Sequence, residues 1–365
     1  MSTVYDGEKG EFVAEPGPTP VPLLEVDDLR VEFRTNDGVA KVLNGVSYHV
    51  NAGETLAVLG ESGSGKSVTA QTVMGILDTP PAVVLGGQVR FHGEDLLSAR
   101  PVRRMEVRGA GIAMIFQDAL SALNPVFTVG FQIAEQLRIR RGLTRAEARK
   151  GTVDLLDLVK IPHARQRLRS YPHEFSGGMR QRAMIAMALA LDPELLIADE
   201  PTTALDVTVQ AQIMDLLRDI QREREMGLIL ITHDLGVVAE VADRIAVMYA
   251  GRIVEQADVY ALFRTPAHPY TEALLQSLPR LEEKGQVLRA IKGLPPSLTH
   301  IPPGCPFHPR CPRAADRCSK DVPDFHQLPG NRYSACHFAQ EMLVSVSAGS
   351  NRPKHSRGSS WEEGS

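Results

Sequence analysis

Short, unbroken apolar runs recur along the chain, each stopping on a glycine or a polar group. Thr55–Gly60 (TLAVLG), Gly111–Phe116 (GIAMIF), Leu195–Asp199 (LLIAD) and Leu228–Thr232 (LILIT) are the clearest. Runs of this length without alternation mark strands buried on both faces, as in a parallel sheet. Ahead of them, LLEVDDLRVEF and VLNGVSYHV read as strands separated by the turn-like Asn36–Gly38, which predicts an antiparallel β portion. Helical spacing fills the intervals. Ser67 to about Leu77 predicts one helix, TRAEARKGTVDLLDLV has apolar residues at a 3.6 period, and Val209, Ile213, Leu216, Leu217 and Ile220 share one helical face. Set between LLIAD and LILIT, that last helix makes a βαβ crossover. RIAVMYAGRIVEQ (Arg244–Gln256) closes the core.

The pattern predicts an α/β core over 23–256 with an antiparallel portion, a charged helical subdomain inserted at about 118–175, and an extension over 257–343. Residues 1–22 and 344–365 are polar, with Gly, Ser or Pro punctuation, and read as disordered tails. A length of 365 residues with 43% apolar content suffices for two domains. The net charge of −4 provides no broad basic face, so nucleic acid is not an expected partner. No apolar run approaches the roughly 20 residues that span a bilayer. The N-terminus lacks the apolar core of a signal peptide. These features predict a cytoplasmic location, with any attachment to a membrane made through other proteins.

Candidate chemistry sits where the strands end. GESGSGKS (Gly60–Ser67) joins a buried strand to a helix, the context a phosphate loop requires. Gly60, Gly63 and Gly65 let the backbone reach phosphate oxygens without a Cβ clash, and backbone N–H groups with the helix N-terminus form an anion nest. Glu61, Ser62, Ser64 and Val68 complete the expected nucleotide contact surface. Lys66 supplies positive charge to the β/γ-phosphates, and the Ser67 hydroxyl is a Mg²⁺ ligand candidate. Asp199 and Glu200 end LLIAD. Asp199 is expected to hold Mg²⁺ through water, and Glu200 to act as general base on the attacking water. Gln117 ends another strand and is a candidate ligand for Mg²⁺ or that water. His233 follows a strand neighbouring LLIAD and is placed to reach the γ-phosphate.

FSGGM (Phe175–Met179) follows the phosphate loop and precedes LLIADE, and this ordered set resembles the nucleotide-binding subunits of ABC transporters over about residues 23–343. The resemblance implies a RecA-like P-loop NTPase core of ABC type. It also implies that Ser176, Gly177 and Gly178 are a signature loop contacting the γ-phosphate held by another subunit. Asp206 then lies at the dimer seam, and Phe33 is the adenine-stacking candidate. Phe175 and Met179 depart from the commoner Leu and Gln. A ribosome-directed or DNA-directed ABC ATPase is disfavoured by the single phosphate loop, the lack of sustained heptads and the lack of a basic patch.

Cysteine is absent from the first 304 residues and then occurs four times, at Cys305, Cys311, Cys318 and Cys336. Clustered cysteines in a reducing compartment suit a [4Fe–4S] cluster or a Cys₄ zinc site. The two-residue spacing of zinc knuckles is missing, and His308 and His337 are alternative ligands. An iron–sulfur sensing protein with a secondary ATPase is a third reading, weakened because the cysteines sit in an appendage. HPYTEALLQSLP, IKGLPPS and GCPFHPRC resemble the C-terminal extension of dipeptide/oligopeptide importer ATPases, as do FQDALSALNP and FSGGMRQR. That subgroup implies import of di- or oligopeptides, with nickel complexes, glutathione or oligosaccharides as alternative solutes, and a [4Fe–4S] cluster at the cysteines. It further implies a second ATPase subunit, two transmembrane permeases, an extracytoplasmic substrate-binding protein and a peripheral position on the cytoplasmic membrane face.

Overall fold

The computed structural model describes residues 3–6, 11–14, 21–36, 38–203, 205–277 and 291–349. In chain order the strands are β1 (Thr3–Asp6), β2 (Glu11–Ala14), β3 (Leu24–Thr35), β4 (Gly38–Val50), β5 (Thr55–Leu59), β6 (Ala82–Phe91) and β7 (Glu94–Asp95). They continue as β8 (Ile112–Ile115), β9 (Leu195–Asp199), β10 (Gly227–Ile231), β11 (Arg244–Tyr249), β12 (Arg252–Asp258), β13 (His326–Leu328) and β14 (Arg332–Ser334). Strands β11, β5, β10, β9 and β8 run parallel in that spatial order. Every residue of β5, β9 and β10 is buried, which is why their sequences do not alternate.

One face of the parallel sheet packs on helix Lys66–Met74 and on an antiparallel sheet of order β4-β3-β6-β7. The other face packs on helices Val129–Arg141, Gly177–Ala188 and Val207–Glu223. The last of these buries Ile213, Leu216, Leu217 and Ile220, each apolar side chain contributing about 1.5–3 kcal/mol by leaving water. Between β8 and β9 lie helices Ala119–Ala122, Val129–Arg141, Arg145–Leu158, Ala164–Arg167 and Gly177–Ala188, across the stretch expected to be helical. The TRAE sequence starts the third of them with a capping box between Thr144 and Glu147. Because the five strands are parallel, the residues after β5, β8, β9 and β10 all emerge at one edge of the sheet, where ligands of open α/β sheets bind.

Three expectations change. Residues 3–6 and 11–14 pair as antiparallel strands inside the stretch expected to be an N-terminal tail. Helix Ala339–Gly349 runs past residue 344, where the C-terminal tail was expected to begin; residues 350–365 lie outside the described residues. The extension is also not a separate appendage. Strand β14 pairs with β12, at Glu255↔Ser334 and Gln256↔Tyr333, and β13 pairs with β14, so the extension lengthens the core sheet. Residues 278–290, including the end of HPYTEALLQSLP, lie outside the described residues.

Candidate nucleotide-binding site

The phosphate loop turns directly out of β5. Gly65 has φ +105°, and a Cβ there would lie 2.8 Å from Leu43 and Met248 side-chain carbons and 2.9 Å from the Val42 carbonyl. At Gly60 a Cβ would come within 2.2 Å of the Met248 carbonyl. Both glycines are therefore needed to seat the loop on β11 and β4. Lys66 Nζ is buried and donates to the carbonyls of Gly60 (2.8 Å) and Glu61 (3.1 Å). Burial lowers the Lys66 pKa, against the raising effect of Glu200, Asp199 and Glu61. Asp199 is only 4% exposed, and burial pushes its pKa up, countered by the hydrogen bond from Ser67. The two shifts have one origin: opposite charges are held out of water at the mouth of the loop, where phosphates and a cation would compensate them.

Ser67 Oγ donates to Asp199 Oδ1 at 3.0 Å. This pair brings two hard oxygen donors together, the chemistry Mg²⁺ selects. Gln117, the candidate ligand for Mg²⁺ or for the attacking water, donates from Nε2 to Glu200 Oε2 at 2.9 Å. Thr203 Oγ1 donates to the same oxygen at 2.9 Å, and His233 Nδ1 lies 3.3 Å from Glu200 Oε1. Glu200 thus takes partners from three segments. Its φ of +45°, a left-handed value unusual outside glycine, turns the chain away from β9 immediately after the strand ends.

Ser67, Gln117, Glu200 and His233 share one open cleft of about 640 Å³, lined also by Phe33, Ala40, Val42, Ser62, Gly63, Gly65, Lys66, Val68 and Leu298. Phe33, the candidate base platform, lines it together with the apolar Ala40, Val42 and Leu298. Ser176, Gly177 and Gly178 do not line it. Ser176 caps helix Gly177–Ala188, accepting from Met179 N at 3.4 Å, and Ser176 and Gly177 face solvent. Phe175 is 2% exposed, so the aromatic variant of this position is absorbed by the core. A Cβ on Gly178 would meet Val209 Cγ1 at 2.7 Å, which fixes glycine there for helix packing. Asp206 caps helix Val207–Glu223 by accepting from Val209 N at 2.9 Å, a local role the sequence reading did not give it.

The ABC transporter family model matches residues 43–203, and that of the oligopeptide/dipeptide transporter C-terminal region matches residues 254–318. Over 322 residues the chain is 49% identical to the oligopeptide transport ATP-binding protein OppD of Salmonella typhimurium, covering 88% of this chain and 95% of OppD. The chain belongs to the ABC transporter ATP-binding subunits of the oligopeptide/dipeptide family. It is 47% identical over 316 residues to the dipeptide transport ATP-binding protein DppD of Escherichia coli, covering 87% and 96% of the two chains. Its fold matches the bacterial ABC transporter cassette MJ0796, solved as a dimer, with a TM-score of 0.58, 25% identity, and coverage of 65% of this chain and 98% of that one.

The four cysteines of this ABC subunit come to one corner of the fold. Cys305 N donates to Cys318 O at 2.8 Å, and Cys336 lies within electrostatic range of Cys305, Cys311 and Cys318. A ready-made metal cage is not what they form. Among the described residues no group of three or more His, Cys, Asp or Glu side chains is arranged to hold a metal ion. Burial raises the Cys305 pKa to about 11 and those of Cys311 and Cys336 as well, so these thiols are protonated at neutral pH and a metal would have to displace their protons. The alternative ligands His308 and His337 are engaged with the carbonyls of Cys305 (2.9 Å) and Asp321 (3.0 Å). The donor set of four neighbouring sulfurs still suits a thiolate-bound cluster chemically.

Sequence reasoning missed Thr203 on the candidate base and Leu298 in the cleft. Leu298 comes from the extension, where its carbonyl accepts from Lys41 N at 2.9 Å and its side chain packs beside Phe33. Thr203 could have been found from PTTALD, since a hydroxyl three residues past Glu200 falls within one turn of it.

Proposed function

We propose that the chain is the ATP-hydrolysing subunit of a peptide importer, and that it works by closing on a second ATPase subunit around ATP and Mg²⁺. The observation that carries this reading is the separation of Ser176–Gly178 from the chain's own cleft. A solvent-facing Ser-Gly-Gly at the head of a 12-residue helix offers hydroxyl and N–H donors to an anion. Beyond the cap between Ser176 Oγ and Met179 N, no group among the described residues is seen to take them, and a phosphate presented by a neighbour would. The dimer in which MJ0796 was solved supports this arrangement.

In this mechanism Gly60–Val68 cradle the triphosphate, Lys66 neutralises its β/γ end, and Phe33 stacks the base. Ser67 and Asp199 hold Mg²⁺, and Glu200 takes a proton from the attacking water while Gln117 and His233 orient that carboxylate. Asp206 sits at the seam. Hydrolysis removes the phosphate that bridges the subunits and lets them part, which permeases convert to alternating access. Exposed Phe116, Leu120, Val126, Phe127 and Phe131 follow β8 next to Gln117, with the rings of Phe127 and Phe131 stacked 5.0 Å apart; this apolar patch supports docking of two membrane permeases there. Among the described residues no helix is long and apolar enough to cross a membrane, in keeping with a peripheral subunit on the cytoplasmic face. The solute is assigned as di- or oligopeptide from the relatives' functions, delivered by an extracytoplasmic binding protein. The division into a core over 23–256, helical subdomain at 118–175 and extension over 257–343 belongs to this reading.

Ser176→Arg tests the carrying observation. ATP binding to the subunit's own cleft should change by less than about threefold, since Ser176 is outside it. Nucleotide-dependent association, read by light scattering, and hydrolysis should both be lost. Undiminished turnover would mean that the site is complete within one chain.

The cysteine corner is proposed to carry a [4Fe–4S] cluster ligated by Cys305, Cys311, Cys318 and Cys336, with zinc as the alternative occupant. Its role would be to tie together a segment with little apolar core of its own. Protein purified without oxygen should contain iron and sulfide and absorb in the visible. Stoichiometric zinc without iron reassigns the site, and metal-free protein with four titratable thiols removes it.

A further inference from the structure

The second residue of the phosphate loop poses an electrostatic problem. Glu61 places a carboxylate in a loop whose task is to hold a polyanion, and its charge reaches Lys66. The extension answers it. Arg310 Nη1 and Nη2 donate to Glu61 Oε2 and Oε1 at 2.6 and 2.9 Å, a two-pronged pair in which the Arg310 side chain is 6% exposed. Tyr270 Oη accepts from the backbone N–H of Glu61 at 2.9 Å. Arg310 is fixed in turn: Nη1 donates to Tyr249 Oη at 3.3 Å, Nε donates to the Lys292 carbonyl at 3.1 Å, and the guanidinium lies over the rings of Tyr249 and Phe307. Tyr249, Tyr270 and Phe307 contact one another at centroid distances of 4.6–5.3 Å. A planar, delocalised cation with every prong engaged is what lysine could not supply here.

Resting on the reading of Gly60–Ser67 as the ATP site, we propose that Arg310 is a positioning residue for ATP. It neutralises and aims Glu61, and with Tyr270 it makes the C-terminal extension a structural part of the phosphate loop. Without Arg310 the loop keeps its shape in Lys66 and the glycines but faces the triphosphate with an unpaired negative charge. The penalty is larger for ATP than for ADP, because ATP brings more charge to the same place.

The test is equilibrium binding of ATP and ADP to the full chain by displacement of a fluorescent nucleotide, with thermal unfolding recorded in parallel. Arg310→Met should weaken ATP about tenfold, the size of an ordinary coupling between contacting residues, and ADP by less. Adding Glu61→Gln to Arg310→Met should restore most of the ATP affinity, because the repulsive charge is gone. Arg310→Lys keeps the charge but loses the fork, and should weaken ATP about threefold, which provides a readout if Arg310→Met does not fold. Wild-type ATP affinity in Arg310→Met or Arg310→Lys overturns the proposal, as does a loss that Glu61→Gln fails to rescue, which would mark a role in folding alone. Lys66→Ala run alongside separates the two readings: if it too leaves ATP affinity intact, the assignment of the loop itself is wrong.

Discussion

Replacing Glu200 with glutamine should leave ATP bound and reduce phosphate release by about a hundredfold or more, the usual worth of a positioned general base. The side chain is held for that task. Gln117 and Thr203 both donate to Oε2, so that oxygen is occupied, while among the described residues Oε1 has only His233 at 3.3 Å and is the one open to accept a proton from water. An amide at this position keeps the size and the acceptor facing Gln117 and Thr203, yet cannot take up the proton. Nothing in the cradle is disturbed, since neither Lys66 nor Ser67 bonds to Glu200. Single-turnover phosphate release beside nucleotide binding on the same preparation checks both halves. Unchanged turnover would move the base elsewhere, and lost binding would show that Glu200 serves the cradle.

Lys66→Ala should act on the opposite half, weakening ATP itself by about tenfold to a hundredfold, as expected for losing charge-assisted hydrogen bonds worth about 1.5–3 kcal/mol. The ammonium is buried beneath the loop and donates to the carbonyls of Gly60 and Glu61. Alanine removes that donor from the Gly60 carbonyl, leaves the Glu61 carbonyl with Ser64 N alone among the described residues, and removes the cation whose charge reaches Asp199 and Glu200. Titration calorimetry with ATP and Mg²⁺ reads the loss directly. Retained affinity would contradict the placement of the β/γ-phosphates over this residue.

The parallel core was legible because its strands are apolar throughout and their ends carry chemistry, so TLAVLG, LLIAD and LILIT each announced both an element and a site. The candidate cradle, Asp199 and Glu200 stand at those strand ends. What remained hidden depends on pairing between distant residues. β6, β7 and helix Pro101–Ala110 have mixed patterns that acquire meaning only against β3 and β8. The union of β14 with β12 brings together Tyr333 and Gln256, and three-residue strands such as β13 and β14 leave no periodic trace. The bond from Gln117 to Glu200 was not legible, because reach along the sheet edge is not encoded in spacing. Arg310 left no local signal, because its partner Glu61 lies 249 positions away.

That shared sheet bears on how small this machine can be made. A chain cut after Asp258 would keep the phosphate loop, Asp199 and Glu200 but lose Leu298 from the cleft and Arg310 from Glu61, and β12 would become a bare margin with unsatisfied N–H and C=O groups, the kind of border that adheres to other copies. Strands β13 and β14 therefore act as a hem: they finish the fabric from which the engine is cut, and a minimal cassette has to retain them.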